Sequence, residues 1–355
     1  MGWAPRARHW STRALAGYHR VMHPDWRPDG LADRLPFLHR RVALTRATRA
    51  FFEARLYTEV ETPYAVETPG EEVHLHALRT RASDAQGRAR TLWLHTSPEF
   101  AMKKLLAGGA GPIMQFARVW RDQEGSARHQ VEFTMLEWYR PGLTFAGLMD
   151  ETEALLRAVL PAVVRCRGLE TRVDDFERLT VAEAFARHGA GDVLATAGDA
   201  AALARSAGVM LRDGEEWEDL FFRLLLDRVE PNLGQARPTF LTHWPAAQAA
   251  LARRDPTDPR VALRFELFLC GMELANAFEE LTDPHEQRAR FIEDRARRHA
   301  MHGADWPMDE TLLQALEHMP DSSGIALGFD RLAMLAAGAD RIEQVQWLPH
   351  PMAGL

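Results

Sequence analysis

Arginine and carboxylate side chains next to apolar stretches are the residues of this chain best suited to bind charged ligands. Arg121 follows an apolar alternation at residues 116–120, and Glu137 and Tyr139 lie on a second alternation beyond a polar turn. This pattern predicts a β-hairpin that turns a fixed cation and a carboxylate toward one cavity. The alternative is an exposed hairpin with solvated charges, which is the commoner state of such residues.

Two further acids, Glu266 and Glu273, lie in a long apolar segment at residues 261–278. A glycine within this segment indicates two antiparallel strands. Carboxylates on such an apolar hairpin are destabilising unless something neutralises them. A divalent cation that also binds phosphate is one candidate. A salt bridge to Arg260 or Arg264 is the other.

A third candidate site lies near the C-terminus, where an apolar stretch at residues 325–329 leads into an apolar helical pattern. Gly328 has no side chain to block a ligand, and Arg331 falls in the first turn of the predicted helix. Helix N-termini and arginine both favour anions, so this arrangement predicts a phosphate site. The sequence has no Walker loop and no Gly-x-Gly-x-x-Gly fingerprint, so arginines on an antiparallel sheet would have to hold the phosphates.

Glu99 lies in the first turn of another predicted helix. Ser97 is a suitable N-cap for this helix, and Pro98 suits its first position. An acid in a first turn ordinarily only complements the helix dipole, and that is the alternative to a role in ligand binding.

Apolar spacing and the positions of proline and glycine predict the elements that position these residues. Residues 1–36 contain several prolines and many arginines, and they predict an irregular Arg-rich leader that ends at Pro36. Residues 37–355 form the predicted main domain, which opens with a long amphipathic helix. Within it, residues from about 145 to 235 predict a mostly helical insert without a recognisable motif.

The composition indicates a globular protein with ample material for a core, since 46% of the 355 residues are hydrophobic. No apolar run approaches the roughly 18 residues that a membrane span needs. The two cysteines, Cys166 and Cys270, are far apart in apolar surroundings, which favours a reducing cytoplasm over a disulfide framework. Lys103 and Lys104 are the only lysines, for which coding bias is the simple explanation.

Three segments resemble, in order along the chain, the three motifs of class II aminoacyl-tRNA synthetases. The long helix with TEVETP is similar to motif 1, VWRDQE with EFTMLEW to motif 2, and GIALGFDRLAML to motif 3. The segments TSPE, VEFTMLEWYRP and ELANAFEELTDPHEQ are similar to sequences of the lysyl branch of this class. The resemblance covers about residues 38–340, and it is specific because several long motifs agree in order and spacing.

The resemblance implies an α+β fold, with a six- or seven-stranded antiparallel sheet flanked by helices and a homodimer interface at motif 1. Motif 1 begins near residue 40. The anticodon-binding domain of lysyl-tRNA synthetases has no room before it, so anticodon recognition is not expected. The chain instead resembles the stand-alone ligases of the lysyl branch. These imply a cytoplasmic enzyme that uses ATP and Mg²⁺ to adenylate a lysine-like amino acid, (R)-β-lysine, and attaches it to a lysine side chain of elongation factor P.

The resemblance also assigns roles to single residues. Arg121 and Arg331 are the implied catalytic residues, at the α-phosphate and the γ-phosphate respectively, and Arg121 also contacts the substrate carboxylate. Phe133 stacks under adenine, and Glu266 and Glu273 hold Mg²⁺. The residues implied to bind ATP are Arg121, Asp122, Gln123, His129, Gln130, Phe133, Glu273, Leu274, Gly328 and Arg331. The residues implied to line the amino-acid pocket are Ser97, Pro98, Glu99, Glu137, Tyr139, Asn276 and Glu280. The carboxylates of this pocket suit a substrate with two ammonium groups.

Two positions depart from the family pattern. Gln123 replaces the motif 2 glutamate that contacts the adenine amino group, and Glu124 is available to substitute for it. Glutamine can still accept a hydrogen bond through its carbonyl, so we expect ATP binding with altered strength. Ala277 replaces the glycine that follows Asn276, and we expect its methyl group to narrow the amino-acid pocket.

Two other functions are compatible with these residues. One is acylation of RNA or of a small-molecule amine by the same adenylate chemistry. The other is a catalytically lapsed paralogue that binds an amino acid or a nucleotide for regulation. The two departures favour the lapsed paralogue, whereas the presence of Arg121, Glu266, Glu273 and Arg331 counts against it.

Overall fold

The computed structural model describes residues 27–249, 251–303 and 305–349, and its centre is an eight-stranded β-sheet. In spatial order the strands of this sheet are β1 (Thr58–Glu59), β5 (Ile113–Trp120), β6 (Glu132–Pro141), β13 (Ser322–Gly328), β12 (Met272–Glu279), β11 (Val261–Leu269), β10 (Thr239–Pro245) and β9 (Glu177–Thr180). There are two smaller sheets. One has three strands, in the order β2 (Ala65–Val66), β4 (Ala89–Leu94) and β3 (Arg79–Ser83), and the other pairs β7 (Val163–Cys166) with β8 (Leu169–Arg172).

Helices surround the central sheet. The α-helices of the described residues are α1 (Pro28–Glu53), α2 (Glu99–Ala107), α3 (Phe145–Val159), α4 (Val181–Arg187), α5 (Ala200–Ala207), α6 (Trp217–Leu224), α7 (Pro284–His302), α8 (Glu310–Leu316) and α9 (Phe329–Ala337). Helix α6 continues into a π-helical turn at Leu225–Val229. Across the described ranges, no helix has the length and apolar character that crossing a membrane requires.

The sheet confirms the predicted α+β class, with a mostly antiparallel sheet flanked by helices. The two predicted hairpins are present, since β5 pairs with β6 and β11 pairs with β12 in antiparallel register. Six strands, from β5 to β10 in spatial order, pair antiparallel as expected, and a further parallel strand lies at each edge: β1 beside β5 and β9 beside β10. These edge strands span only two and four residues, too few to show an alternation in the sequence.

Helix α1 begins at Pro28 and continues through Pro36, so the expected boundary at Pro36 is wrong. Proline suits the first turn at Pro28, but Pro36 removes a hydrogen-bond donor from the helix interior. The helix is nevertheless held along its length, because Leu38, Leu44 and Phe52 are buried. Such packing commonly outweighs local propensity. Residues 1–26 of the expected leader lie outside the described residues.

The segment from residue 145 to 235 contains α3 to α6, as the predicted mostly helical insert requires. It also contains three strands that were not predicted, β7, β8 and β9. Helices α4 to α6 share a core in which Phe185 stacks on Phe221, with ring centroids 5.1 Å apart. Strand β9 of this segment pairs with β10. The segment therefore contributes one strand to the central sheet, while β7 and β8 pair separately.

Successive side chains of β6 point to opposite faces of the sheet, so they belong to two different layers of the hydrophobic core. Trp138 packs against Phe52 of α1, with ring centroids 5.1 Å apart, in the cluster that contains α3 and α9. Tyr139 packs on the other face, with residues of α2, α7 and α8. Because side chains two residues apart share a face, Glu137 lies on the α2 face with Tyr139.

Candidate active site

A cavity of about 760 Å³ opens on the α2 face of the central sheet. Residues of β6, β11, β12 and β13 line it, together with residues at the starts of α2 and α9 and in the turn after β5. Most of the residues singled out in the sequence lie in its wall. These are Ser97, Glu99, Arg121, His129, Phe133, Tyr139, Glu266, Glu273, Leu274, Asn276, Gly328 and Arg331. The structure brings these residues together, while their individual roles remain predictions.

Arg121 and Arg331 are two of the seven arginines in the cavity wall. The guanidinium of Arg121 lies 5.3 Å from the ring centroid of Phe133, and its Nε is buried without a hydrogen-bond partner among the described residues. Arg331 lies in the first turn of α9, where its guanidinium donates to the backbone oxygen of Glu273 at 2.6 Å and to Nε2 of His129 at 2.5 Å. Both arginines can stabilise an anionic ligand.

Gln123 does not reach the cavity. Its side chain is exposed, and its backbone has a φ of 63°, in the left-handed region that turns often require. Glu124 lines the cavity instead and accepts a hydrogen bond from Nδ1 of His129 at 3.1 Å. This bond and the charge of Arg121 outweigh burial and lower the pKa of Glu124. The adenine contact of Gln123 stays a prediction, and Glu124 is the acid that the structure places in the wall at this turn.

Glu266 and Glu273 both line the cavity, on adjacent strands of the β11–β12 hairpin. The strand register shifts at Leu267 and Phe268, so that Glu273 lies opposite Phe268 while Glu266 lies opposite Asn276. Burial and the neighbouring Glu273 raise the pKa of Glu266 to about 8. A nearby cation would relieve this unfavourable proximity of two carboxylates.

The alternative expected from the sequence, an arginine salt bridge, is also present. Arg264 pairs with Glu266 at 2.7 Å, whereas Arg260 pairs with Asp258. Glu273 keeps 43% of its side chain exposed. Within the described ranges no cluster of three or more His, Cys, Asp or Glu residues could hold a metal. The two glutamates therefore fit Mg²⁺ only as ligands shared with phosphates, which is the usual way proteins hold this ion.

A second part of the wall carries buried carboxylates. Glu137 is fully buried behind the wall, where it accepts hydrogen bonds from Ser97 at 2.6 Å and from the hydroxyl of Tyr139 at 2.9 Å. Burial, and after it the charge of Glu99, raise the pKa of Glu137 to about 8. Ser97 and Tyr139 both line the cavity, so they connect this buried acid to the ligand space.

Glu99 and Glu280 are joined by a lysine that the sequence analysis did not place at the site. The Nζ of Lys103 lies 2.6 Å from a carboxylate oxygen of each. Glu99 lines the cavity, whereas Glu280 is completely buried next to Gly324 of the wall. A spacing of four residues on α2 places Glu99 and Lys103 on one helix face, and this spacing was the available signal.

Asn276 and Ala277 point to opposite faces of β12. Asn276 lines the cavity, where its side-chain oxygen accepts a hydrogen bond from Arg264 at 3.1 Å. Ala277 is buried in the core on the other face, between Phe265 and Ile325 of the neighbouring strands. The expectation that its methyl group narrows the pocket is therefore wrong, because strand alternation turns it away from the cavity.

Several candidate residues lie outside the cavity wall: Pro98, Asp122, Gln123, Gln130, Glu137 and Glu280. Gln130 is buried and donates a hydrogen bond to Glu343 at 3.3 Å, and the backbone N–H of Asp122 donates to His76. The contacts of these two residues with ATP that the resemblance implies stay predictions. The sequence interpretation missed other charged residues of the wall, including Glu72 between β2 and β3 and Glu218 of α6. Glu218 belongs to the insert, which carries no motif.

The wall thus presents two kinds of charge to one ligand space. Arg121 and Arg331, with the start of a helix, can bind and stabilise phosphates. Glu99, with Glu137 behind Tyr139, can bind ammonium groups. Such a cavity suits an anionic nucleotide beside a cationic amine.

Comparisons with known proteins agree with this geometry. The family of class II tRNA synthetases (D, K and N) matches residues 32–351. Elongation factor P–(R)-β-lysine ligase of Klebsiella pneumoniae is 42% identical over 327 residues, which cover 90% of this chain and 96% of the relative. The ligase of the same name from Vibrio cholerae is 41% identical over 94% of this chain and 100% of its own length. The ligase of this name from Edwardsiella ictaluri is 43% identical over 87% of this chain and 93% of its own length. The chain therefore belongs to the class II (D, K and N) tRNA synthetase family.

Proposed function

We propose that this protein is an ATP-dependent ligase that adenylates a lysine-like amino acid, (R)-β-lysine, and transfers it to a lysine side chain of elongation factor P. The observation that carries the proposal is the joint presence, in one cavity, of Arg121 and Arg331 with the carboxylates around Glu99. The names of relatives that match this chain over about nine-tenths of its length support the choice of substrate and acceptor.

The first step joins the amino acid to AMP. The substrate carboxylate attacks the α-phosphorus of ATP in line, the new oxygen–phosphorus bond forms, and the bond to pyrophosphate breaks. Charge spread over the phosphates is offset by Arg121 and by Arg331 at the start of α9. The carboxylate is already ionised, so no general base is needed, and positioning and electrostatics supply the catalysis.

Magnesium would be held by Glu266 and Glu273 together with the phosphates. Their positions on adjacent strands and the raised pKa of Glu266 support this assignment. When bound, the ion supplies positive charge to the phosphate oxygens. Arg264 must then share Glu266 with the ion, since the two side chains are paired at 2.7 Å.

The second step transfers the acyl group. An uncharged lysine amine of the acceptor attacks the carbonyl carbon of the adenylate, an amide bond forms, AMP leaves, and the amine loses one proton. The resemblance to class II synthetases also supports a homodimer through α1 and a cytoplasmic location, and both are part of the proposal.

Exchange of labelled pyrophosphate into ATP, measured with a panel of α- and β-amino acids, tests the adenylation. We expect exchange with (R)-β-lysine and weaker exchange with other diamino acids. No exchange with any member of the panel would contradict the proposal and favour a regulatory paralogue.

The acceptor is tested by adding purified elongation factor P, or bulk tRNA, to the same reaction with labelled amino acid. We expect label on the protein, at a lysine identified by mass spectrometry. Label that appears only on tRNA would contradict elongation factor P as the acceptor while leaving the adenylation chemistry intact.

A further inference from the structure

Lys103 is buried on α2 between two carboxylates of the candidate amino-acid pocket. Only 2% of its side chain is exposed, and its Nζ lies 2.6 Å from Oε1 of Glu99 and 2.6 Å from Oε2 of Glu280. These two acids come from α2 and from the end of β12, so the lysine joins elements that are far apart in sequence.

The charge of Lys103 is maintained by these neighbours. Burial alone would lower the pKa of the ammonium group, but Glu280 and Glu99 outweigh burial and raise it above its ordinary value. Lys103 is therefore a fixed cation and not a nucleophile, since an amine can attack the adenylate only in its uncharged form.

Around Glu99, the buried carboxyl groups of the candidate amino-acid pocket outnumber the cations that pair with them. Glu99, Glu137 and Glu280 are all buried. In the described part of the chain, the ion pairs that reach these three come from Lys103 alone, because Glu137 is held by the hydroxyl groups of Ser97 and Tyr139. The single charge of Lys103 can balance only one of the three acids; Arg121 acts on Glu137 without a direct ion pair. Buried carboxylates in this state either take up protons or await a cationic ligand.

Gly324 and Tyr139 of the cavity wall lie close to Glu280, the fully buried acid of the Glu99–Lys103–Glu280 group. A Cβ at Gly324 would lie 2.5 Å from Oε1 of Glu280 and 2.2 Å from the Tyr139 ring, so a glycine is required for this close packing. The same Oε1 has no hydrogen-bond partner among the described residues. Glu280 is thus held at one oxygen by Lys103, and its other oxygen is left without a donor.

We propose that Lys103 is a positioning residue of the amino-acid pocket: its ammonium group holds Glu99 and Glu280 in place and balances one of the three carboxyl groups, so that a substrate with two ammonium groups completes the charge. This inference rests on the proposed function, and it explains why the pocket selects a doubly cationic amino acid. A merely structural salt bridge between α2 and β12 is the competing explanation.

The test compares Lys103→Met with Lys104→Met in pyrophosphate exchange. Lys104 is the matched control, because it is the next residue on α2 but pairs with Asp309 at 2.6 Å, and Asp309 is not part of the cavity wall. We expect Lys103→Met to raise the KM for the amino acid at least about tenfold and to leave the KM for ATP within about twofold. Lys104→Met should leave both constants within about twofold. Equal changes in the two constants of Lys103→Met, or no change in either, would overturn the proposal.

A double variant covers the case in which Lys103→Met does not fold, since a carboxylate pair left without its cation is strongly destabilising. In Lys103→Met/Glu280→Gln one positive and one negative group are removed together. We expect its KM for the amino acid to exceed that of Glu280→Gln, because Glu99 has lost its cation. Where the single variant folds, the combined effect should be smaller than the product of the two single effects. A KM equal to that of Glu280→Gln, or a fully multiplicative effect, would contradict the proposal.

Calorimetric binding of (R)-β-lysine without ATP separates this inference from the proposed function. A wild-type protein that neither binds nor activates the amino acid would contradict the proposed function, and the inference with it. A wild-type protein that binds it and a folded Lys103→Met variant that binds it equally well would overturn the role of Lys103 alone.

Discussion

Arg331 donates a hydrogen bond to Nε2 of His129 across 2.5 Å, which joins the first turn of α9 to the turn between β5 and β6. The Nδ1 of His129 in turn donates to Glu124 at 3.1 Å. The carboxylate therefore orients the imidazole, and the imidazole orients the guanidinium. Because Arg331 also donates to the backbone oxygen of Glu273 at 2.6 Å, it is held from two sides before any ligand is bound.

Glu124→Gln should weaken ATP binding, because the variant loses the charge that orients His129 and Arg331. We expect the KM for ATP to rise about fivefold, corresponding to about 1 kcal/mol for one hydrogen bond. Gln123→Ala is the matched control, since Gln123 is exposed and outside the cavity wall. Pyrophosphate exchange at varied ATP concentration measures both variants. A larger effect at Gln123 than at Glu124 would show that the turn rearranges when ATP binds.

Arg121→Ala should abolish adenylation without unfolding the protein. Arg121 is in the cavity wall and has a buried Nε without a partner among the described residues, so its removal takes away charge stabilisation and few structural contacts. Loss of one such stabilising group typically lowers kcat about 10²- to 10³-fold. Arg118→Ala, three residues earlier on β5 and about half exposed, is the control and should retain exchange. Exchange by Arg121→Ala at the wild-type rate would show that this arginine is structural.

Amino-acid binding should strengthen as the pH rises toward 8. Glu137 has a pKa of about 8 and faces Glu99, Tyr139 and Ser97, with Arg121 also nearby. Below pH 8 the empty pocket holds a proton on this acid. Binding of an ammonium group favours the ionised form, so it releases that proton, and affinity rises with pH by up to about tenfold per unit until the group is ionised. Calorimetry in buffers of different ionisation enthalpy counts the released protons.

Glu137→Gln provides the control for this pH dependence. The amide does not titrate, so we expect weaker amino-acid binding and a smaller number of released protons near pH 7. Proton release that is unchanged in Glu137→Gln would assign the titration to another buried acid of the pocket.

Glu273→Gln should raise the Mg²⁺ concentration required for half-maximal exchange. Glu273 is the more exposed member of the acid pair. It lies 3.6 Å from Arg331, whereas Glu266 pairs with Arg264 at 2.7 Å, so Glu273 is the carboxylate more available to an ion. We expect a shift of about tenfold, as for loss of one ligand group. Glu170→Gln on β8, which pairs with Arg165 outside the cavity wall, is the control. An unchanged Mg²⁺ requirement in Glu273→Gln would remove this residue from the proposed metal site.

Trp138→Ala should destabilise the fold through the packing of α1 on the sheet. Trp138 is fully buried against Phe52, and its loss should lower the free energy of unfolding by about 3–5 kcal/mol. Denaturant unfolding followed by circular dichroism measures this change. Trp347→Ala, in a side chain that is half exposed, should change it by less than about 0.5 kcal/mol. A small effect of Trp138→Ala would show that α1 is not packed as described.

The two hairpins and the glycine-to-helix turn could be predicted because each depends on the local alternation of apolar and polar residues and on the positions of glycines. The face on which a residue lies could not always be predicted. Ala277 was expected in the pocket, but β12 turns it into the opposite core. The register shift at Leu267 and Phe268 has no signal in residue type, since a bulge depends on the neighbouring strand. Pro36 was expected to end the leader, but packing holds it inside α1.

The order of the class II motifs and the residue types within them were determined by the sequence alone, because phosphates and ammonium groups require arginines and carboxylates whatever the fold. Only the tertiary structure decided which of these charges share one cavity and what each one pairs with. It placed Glu124 in the wall and Gln123 outside it, and it put Lys103 between Glu99 and Glu280. These pairings join residues up to about 180 positions apart in the chain. The interaction of buried charges depends on their distance in space, and residue types and sequence spacing do not specify that distance.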